Sequence, residues 1–128
     1  MNKYLLSGII GAVIIGIGVW AWSASDTPSV AADPALMSLA QCLTDKGVVM
    51  YGAEWCSHCK DQKALFGGAW SAVTYVECPQ NTVLCTQKGV KGYPTWILAN
   101  GQKLEGVQPL ARLAQAADCT WSPSPAQP

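Results

Sequence analysis

Apolar and polar positions along this chain fall into blocks whose period switches between helix and strand. Asp33 is a ready N-cap with Pro34 at the first helical position, and Leu36, Leu39, Ala40 and Leu43 share one face before Gly47. That spacing predicts an amphipathic helix. Residues 48–53 form a continuous apolar run, as in a central buried strand. A helix is predicted over 59–66 with Gly67-Gly68 as its stop, then a strand over 73–78 and a turn at Pro79-Gln80-Asn81. Residues 83–88 read as a short helix ending at Gly89. Segments 95–99 and 102–105 flank Asn100-Gly101, a strong hairpin signal. An amphipathic helix over 110–117 completes the order αβαβαββα, an α/β domain with no internal repeat.

The flanks have a different character. Residues 5–22 are an uncharged run of 18, close to the roughly 17–25 needed to span a bilayer, and Trp20 and Trp22 close it where interfacial aromatics are favoured. Lys3 before the run and Asp26 after it orient the N-terminus toward the cytoplasm. The expected organisation is a transmembrane anchor or signal peptide over 1–22, a small-residue linker over 23–32, a folded domain over 33–121 and a proline-rich disordered tail over 122–128. Two readings of the first segment stand: a retained anchor, or a signal cut near Ser23-Ala24-Ser25 or Val30-Ala31-Ala32. Either puts the domain on the extracytoplasmic side, membrane-anchored or secreted.

Composition narrows the function. Lys and Arg number 8 against 8 Asp and Glu, so there is no basic excess for neutralising phosphates, and a nucleic-acid partner is excluded. Half of the residues are hydrophobic and 12% are charged, which excludes a disordered solvating chain. Six cysteines in so short a chain fit an oxidising compartment.

The chemistry centres on Trp55-Cys56-Ser57-His58-Cys59-Lys60. A Cys-x-x-Cys pair between the end of a buried strand and the start of a helix puts Cys56 among unpaired N–H groups, where the helix dipole favours a thiolate. Cys56 is expected as the exposed nucleophile and Cys59 as the buried resolving thiol. The competing reading is a zinc or copper site, which Cys78 and Cys85 could complete only by folding back onto the loop. His58 is the chain's single histidine. At Tyr93-Pro94, directly before a strand, the residues leave a cis and a trans bond both open. Cys42, Cys78, Cys85 and Cys119 allow three pairings. The pairs 78–85, close in sequence, and 42–119, at the two ends of the domain, are expected to be structural. The second would close a loop of 77 residues, worth on the order of 3–5 kcal/mol from loop-closure entropy. A rival role for Cys78 and Cys85 is a second redox pair relaying electrons to Cys56 and Cys59.

The stretch 50–66, then Gly89-Val90-Lys91-Gly92-Tyr93-Pro94-Thr95-Trp96 and Asn100-Gly101, resembles the thioredoxin superfamily in order and spacing. With Tyr75-Val76-Glu77-Cys78 and the flanking Cys42 and Cys119, the resemblance is nearest to the thioredoxin-like domain associated with bacterial and plant vitamin K epoxide reductase homologues. It implies a thioredoxin-like fold, a central mixed sheet flanked by helices. It also implies a thiol–disulfide oxidoreductase acting on protein thiols and disulfides with no cofactor beyond the Cys56–Cys59 disulfide. Pro94 would be cis, lying against that disulfide with Trp55 and Tyr93 to bind substrate, and a vitamin K epoxide reductase-like membrane protein would be the partner. Two departures stand out. Met50 occupies the place, six residues before the first active-site cysteine, where thioredoxins carry a buried acid, and the lysine that partners that acid is missing from 73–77. Ser57-His58 replaces Gly-Pro and resembles the oxidising periplasmic enzymes. An imidazole donating to the Cys56 thiolate would favour the dithiol form and raise the reduction potential by roughly 30–65 mV; the alternative is a solvated loop histidine with no electronic role. A reductase or isomerase is the alternative direction.

Overall fold

The computed structural model describes residues 32–125. The expected anchor over 1–22, all of the linker but Ala32, and the end of the tail lie outside the described residues. No helix among the described residues is long and apolar enough to cross a membrane.

Helix α1 (Pro34–Asp45) starts where Asp33 Oδ1 accepts the Ala35 N–H at 2.8 Å. It buries Leu36, Leu39, Ala40 and Leu43, the face anticipated from their spacing. Strand β1 (Val49–Gly52) is central. It pairs in parallel with β2 (Tyr75–Glu77) and antiparallel with β3 (Thr95–Ile97), which pairs antiparallel with β4 (Lys103–Glu105). The mixed sheet runs β2-β1-β3-β4. Helix α2 (Ser57–Phe66) follows β1, α3 (Thr82–Gln87) lies between β2 and β3, and α4 (Leu110–Ala116) follows β4. The core joins α1, α2, α4 and the sheet around Leu39, Leu43, Met50, Phe66, Trp96 and Leu113.

Several boundaries differ from expectation: α2 starts two residues early, at Ser57, and β3 stops at Ile97 rather than at 99, and three further differences have a visible cause. Gly67, at φ 51°, ends α2 as anticipated, but the chain continues as a 3-10 helix (Gly67–Ala72) because Ala69 is still buried and Trp70 packs edge-on against Phe66. Strand β2 begins at Tyr75 rather than at 73, since the Thr74 N–H is bound by Thr44 Oγ1 at 3.1 Å. The turn after β2 is a short 3-10 helix (Cys78–Gln80). Ser122 to Pro125 carry no helix or strand, yet Pro123 lines an apolar cavity of about 550 Å³ with Trp121, Leu36, Leu65 and Leu110.

Two disulfides brace this frame. Cys42 of α1 joins Cys119, just past α4, and Cys78 joins Cys85 of α3. Cys78 and Cys85 are buried with Tyr51 in a second small cluster on the far side of β1.

Candidate active site

Residues 53–56 leave the C-terminal end of β1 and turn into α2, so the site lies where the central strand meets a helix N-terminus. Cys56 is the N-cap of α2. Its Sγ accepts the N–H of Cys59 at 3.3 Å, the bond an N-cap oxygen would ordinarily take. Cys59 lies one turn along and is fully buried. Both are free thiols. Burial first, and then the hydrogen bond with Cys56, push the Cys59 thiol up to about 11.

Cys56 is less open than anticipated. It is 8% exposed, because Tyr93 from the opposing loop closes over it and the Tyr93 carbonyl lies 3.7 Å from Cys56 Sγ as its acceptor. The Tyr93–Pro94 bond is cis. Strand β3 begins one residue later, so Pro94 stands outside the ladder that it could not serve as a donor, while its carbonyl accepts the Gly106 N–H at 2.8 Å. Thr95, buried, ties the loop down by donating to Gly92 O at 2.8 Å. Trp55, 71% exposed, stands edge-on to Tyr93 with ring centroids 6.0 Å apart. The structure thus sets Trp55 and Tyr93 around Cys56 at the surface, with Cys59 and Pro94 buried behind them.

His58 sits elsewhere in the site. Its ring is 71% exposed and faces Asp61, Nδ1 to Oδ2 3.8 Å, one turn along α2. The hydrogen-bond partners of Cys56 Sγ among the described residues are the Cys59 N–H and the Tyr93 carbonyl, so the anticipated imidazole–Cys56 bond is not formed. The reason is helical geometry: residues at i and i+3 are neighbours, and an exposed imidazole turns to the nearest carboxylate.

The metal reading finds no ligand set. Cys78 and Cys85 are bonded to each other, and the described residues hold no group of three or more His, Cys, Asp or Glu side chains able to bind an ion. The same buried disulfide weighs against an electron relay through Cys78 and Cys85, because labile disulfides are exposed or strained.

Several side chains matter that the motif does not announce. Gln62, fully buried one turn past Cys59, accepts from Trp96 Nε1 at 3.2 Å and the Gln108 N–H at 2.6 Å, and donates to Gln108 O at 3.1 Å. It fastens α2 to β3 and to the loop before α4. Below the cysteines, Tyr75 donates to Glu77 Oε2, and Lys63 holds its ammonium 4.0 Å from the Tyr75 ring centroid. The spacing of Tyr75 and Glu77 on one strand face, and of Lys63 four residues after Cys59, was the sequence signal available for these groups.

Comparisons with known proteins place the chain among its relatives. The chain is 40% identical over 96 residues to the Arabidopsis thaliana thiol-disulfide oxidoreductase LTO1, covering 68% of this chain and 25% of that protein, so it spans about a quarter of that relative's length. A solved structure, thioredoxin NaTrxh from Nicotiana alata, matches with 22% identity and a TM-score of 0.41 over 54% of this chain and 67% of the other. The family model described as Thioredoxin matches residues 36–118, taking in all four strands, all four helices' cores and both cysteines of the pair. A dithiol at the N-terminus of a helix, a cis Tyr93–Pro94 bond whose tyrosine carbonyl meets Cys56 Sγ and a mixed sheet beside them accord with that match, and the chain belongs to the thioredoxin family.

Proposed function

We propose that this protein is a membrane-tethered oxidant of protein dithiols on the extracytoplasmic side, working through Cys56 and Cys59. The observation that carries the reading is the capping of α2 by Cys56 Sγ above a buried, proton-retaining Cys59. A thiolate exists at Cys56 only in the reduced protein, so whatever stabilises it favours reduction of the disulfide and makes the domain a stronger oxidant. Met50, fully buried, puts no carboxylate beneath the pair to oppose that charge.

In the forward direction a substrate thiolate attacks Cys56 Sγ of the Cys56–Cys59 disulfide, and Cys59 leaves as a thiolate and takes up a proton. The second substrate thiolate then attacks the substrate sulfur of the mixed disulfide and releases the Cys56 thiolate. Two electrons pass from substrate to protein. Trp55 and Tyr93 form the surface on which the substrate chain lies, with Pro94 buried behind them. The uncharged run over 5–22 supports tethering, and the resemblance to vitamin K epoxide reductase-associated domains supports a quinone-linked homologue of that enzyme as the separate protein that reoxidises Cys56 and Cys59.

The test has two arms. With Cys59→Ser, substrate proteins should accumulate as mixed disulfides on Cys56; capture on Cys59 in Cys56→Ser instead reverses the roles. The equilibrium potential against glutathione should lie nearer the roughly −120 to −180 mV of oxidising and isomerising enzymes than the roughly −270 mV of thioredoxin. A value at the thioredoxin end would make the protein a reductase.

A further inference from the structure

Cys59 must lose a proton whenever it becomes a nucleophile and regain one whenever it is displaced, yet the strand position beneath it holds Met50. A carboxylate approaches from the neighbouring strand instead. Tyr75 and Glu77 project from one face of β2, and the Tyr75 hydroxyl donates to Glu77 Oε2. Gly52 pairs with Glu77 across the β1–β2 ladder. A Cβ on Gly52 would stand 2.8 Å from Cys59 Sγ and 3.4 Å from the Tyr75 hydroxyl oxygen, so the bare glycine lets thiol and phenol converge on one point of the β1 backbone. Glu77 Oε1 accepts the Glu54 N–H at 2.9 Å, which ties the carboxylate to the loop that carries Cys56. Lys63 covers the pair from α2, 4.0 Å from the Tyr75 ring centroid. Burial, with Glu77 adding to it, pushes the Tyr75 hydroxyl well above its ordinary range, so the phenol stays protonated and can pass a proton on without itself ionising.

We propose that Tyr75 and Glu77 form the proton relay of Cys59, with Glu77 as the acceptor and the Tyr75 hydroxyl as the bridge. The proposal rests on the Cys56/Cys59 exchange described above. When Cys59 attacks a mixed disulfide on Cys56, its thiol proton passes to the Tyr75 oxygen while the Tyr75 proton passes to Glu77. A Cys59–Cys56 bond forms, the bond from Cys56 to the substrate sulfur breaks, and the substrate leaves with the electron pair as a thiolate. In the oxidising direction each transfer runs backwards and Glu77 returns the proton to the displaced Cys59. The titratable groups acting on Cys59 are Cys56 at the N-cap of α2, Lys63 of α2 and Tyr75 of β2, with Glu77 reaching it only through the Tyr75 hydroxyl; β1 contributes Gly52, which does not titrate.

The experiment is stopped-flow reaction of the reduced full chain with 5,5′-dithiobis(2-nitrobenzoate). The first phase forms the mixed disulfide on Cys56, and a second, concentration-independent phase releases a second coloured thiolate as Cys59 attacks. General acid–base assistance contributes ~10²–10⁴-fold, and water replaces part of it, so Glu77→Gln should slow the second phase relative to the first by roughly 10–100-fold at pH 7. The lost rate should return about tenfold per pH unit as hydroxide takes over the deprotonation. Tyr75→Phe, which keeps the ring under Lys63, should behave alike, and Glu77→Asp should recover part of the rate. Second phases with wild-type rates and pH profiles in Glu77→Gln and Tyr75→Phe overturn the relay, as does an equal slowing of both phases. A wild-type chain that shows only one phase overturns the exchange reading itself.

Discussion

Replacing Gln62 by Met tests how firmly the helix under the cysteines is held. The two side chains are close in volume, so packing is nearly conserved and the change is confined to polar atoms. In the native structure the Gln62 amide satisfies Trp96 Nε1–H, the Gln108 N–H and the Gln108 carbonyl, all inside the core. Methionine leaves two buried donors and one buried acceptor without these partners, at ~1–3 kcal/mol for each. Local relaxation and the added apolar burial return part of that, so the net loss should be about 3–5 kcal/mol. Against the ~5–15 kcal/mol by which domains of this kind are stable, that is a large fraction. With an m-value of ~1–2 kcal/mol/M, the urea midpoint of the oxidised full chain in mild detergent should fall by roughly 2–3 M with m unchanged. A midpoint within about 0.5 M of wild type would refute the reasoning, because it would mean that the three groups find partners without Gln62.

Three further outcomes are expected. Under mild reductant, alkylation mass mapping should find Cys56 and Cys59 modified while 42–119 and 78–85 stay closed; opening of 78–85 at the same potential would favour the relay of electrons. Burial raises the Cys59 pKa from 9.0 to about 11, so between those values the unfolded dithiol protein sheds a proton that the native one keeps. Stability of the reduced form is then full below about pH 9 and declines as pH rises toward 11. The disulfide form lacks that decline, and subtracting the two urea titrations isolates it from Tyr51 and Tyr75, which are raised in both. His58→Pro should lower the reduction potential by less than about 30 mV, since the ring is exposed and turned to Asp61; a fall of 60 mV or more would place the imidazole on the thiolate in solution.

The sequence carried the four α-helices and four strands of the described residues, though not the two 3-10 helices, because each is marked locally: Asp33-Pro34 opens α1, Asn100-Gly101 joins β3 to β4, and a continuous apolar run makes β1. The Cys-x-x-Cys pair was legible for the same reason, since a motif at a strand–helix junction depends only on neighbours in the chain. What escaped is non-local. The start of β2 is decided by Thr44, thirty residues away, which takes the Thr74 N–H. Gln62 is a polar residue at a core position whose partners, Trp96 and Gln108, stand 34 and 46 residues along the chain. The orientation of His58 is a local effect, legible from its i, i+3 spacing to Asp61 but outweighed by its nearness to Cys56 along the chain.

The bond between Cys42 and Cys119 also governs how the domain bears load. A pull applied through Ala32 at one end and the tail at the other travels along α1 only as far as Cys42, crosses the sulfur bridge, and leaves at Cys119. Everything between those two residues, including the sheet and the whole exchange site, hangs as a closed loop outside the force path. Tension that would peel β1 from β2 in an unclamped chain therefore reaches only the first turns of α1 and the residues beyond 119. The geometry of Cys56 and Cys59 is insulated from any pull on the ends of the domain, for as long as that one bond stays oxidised.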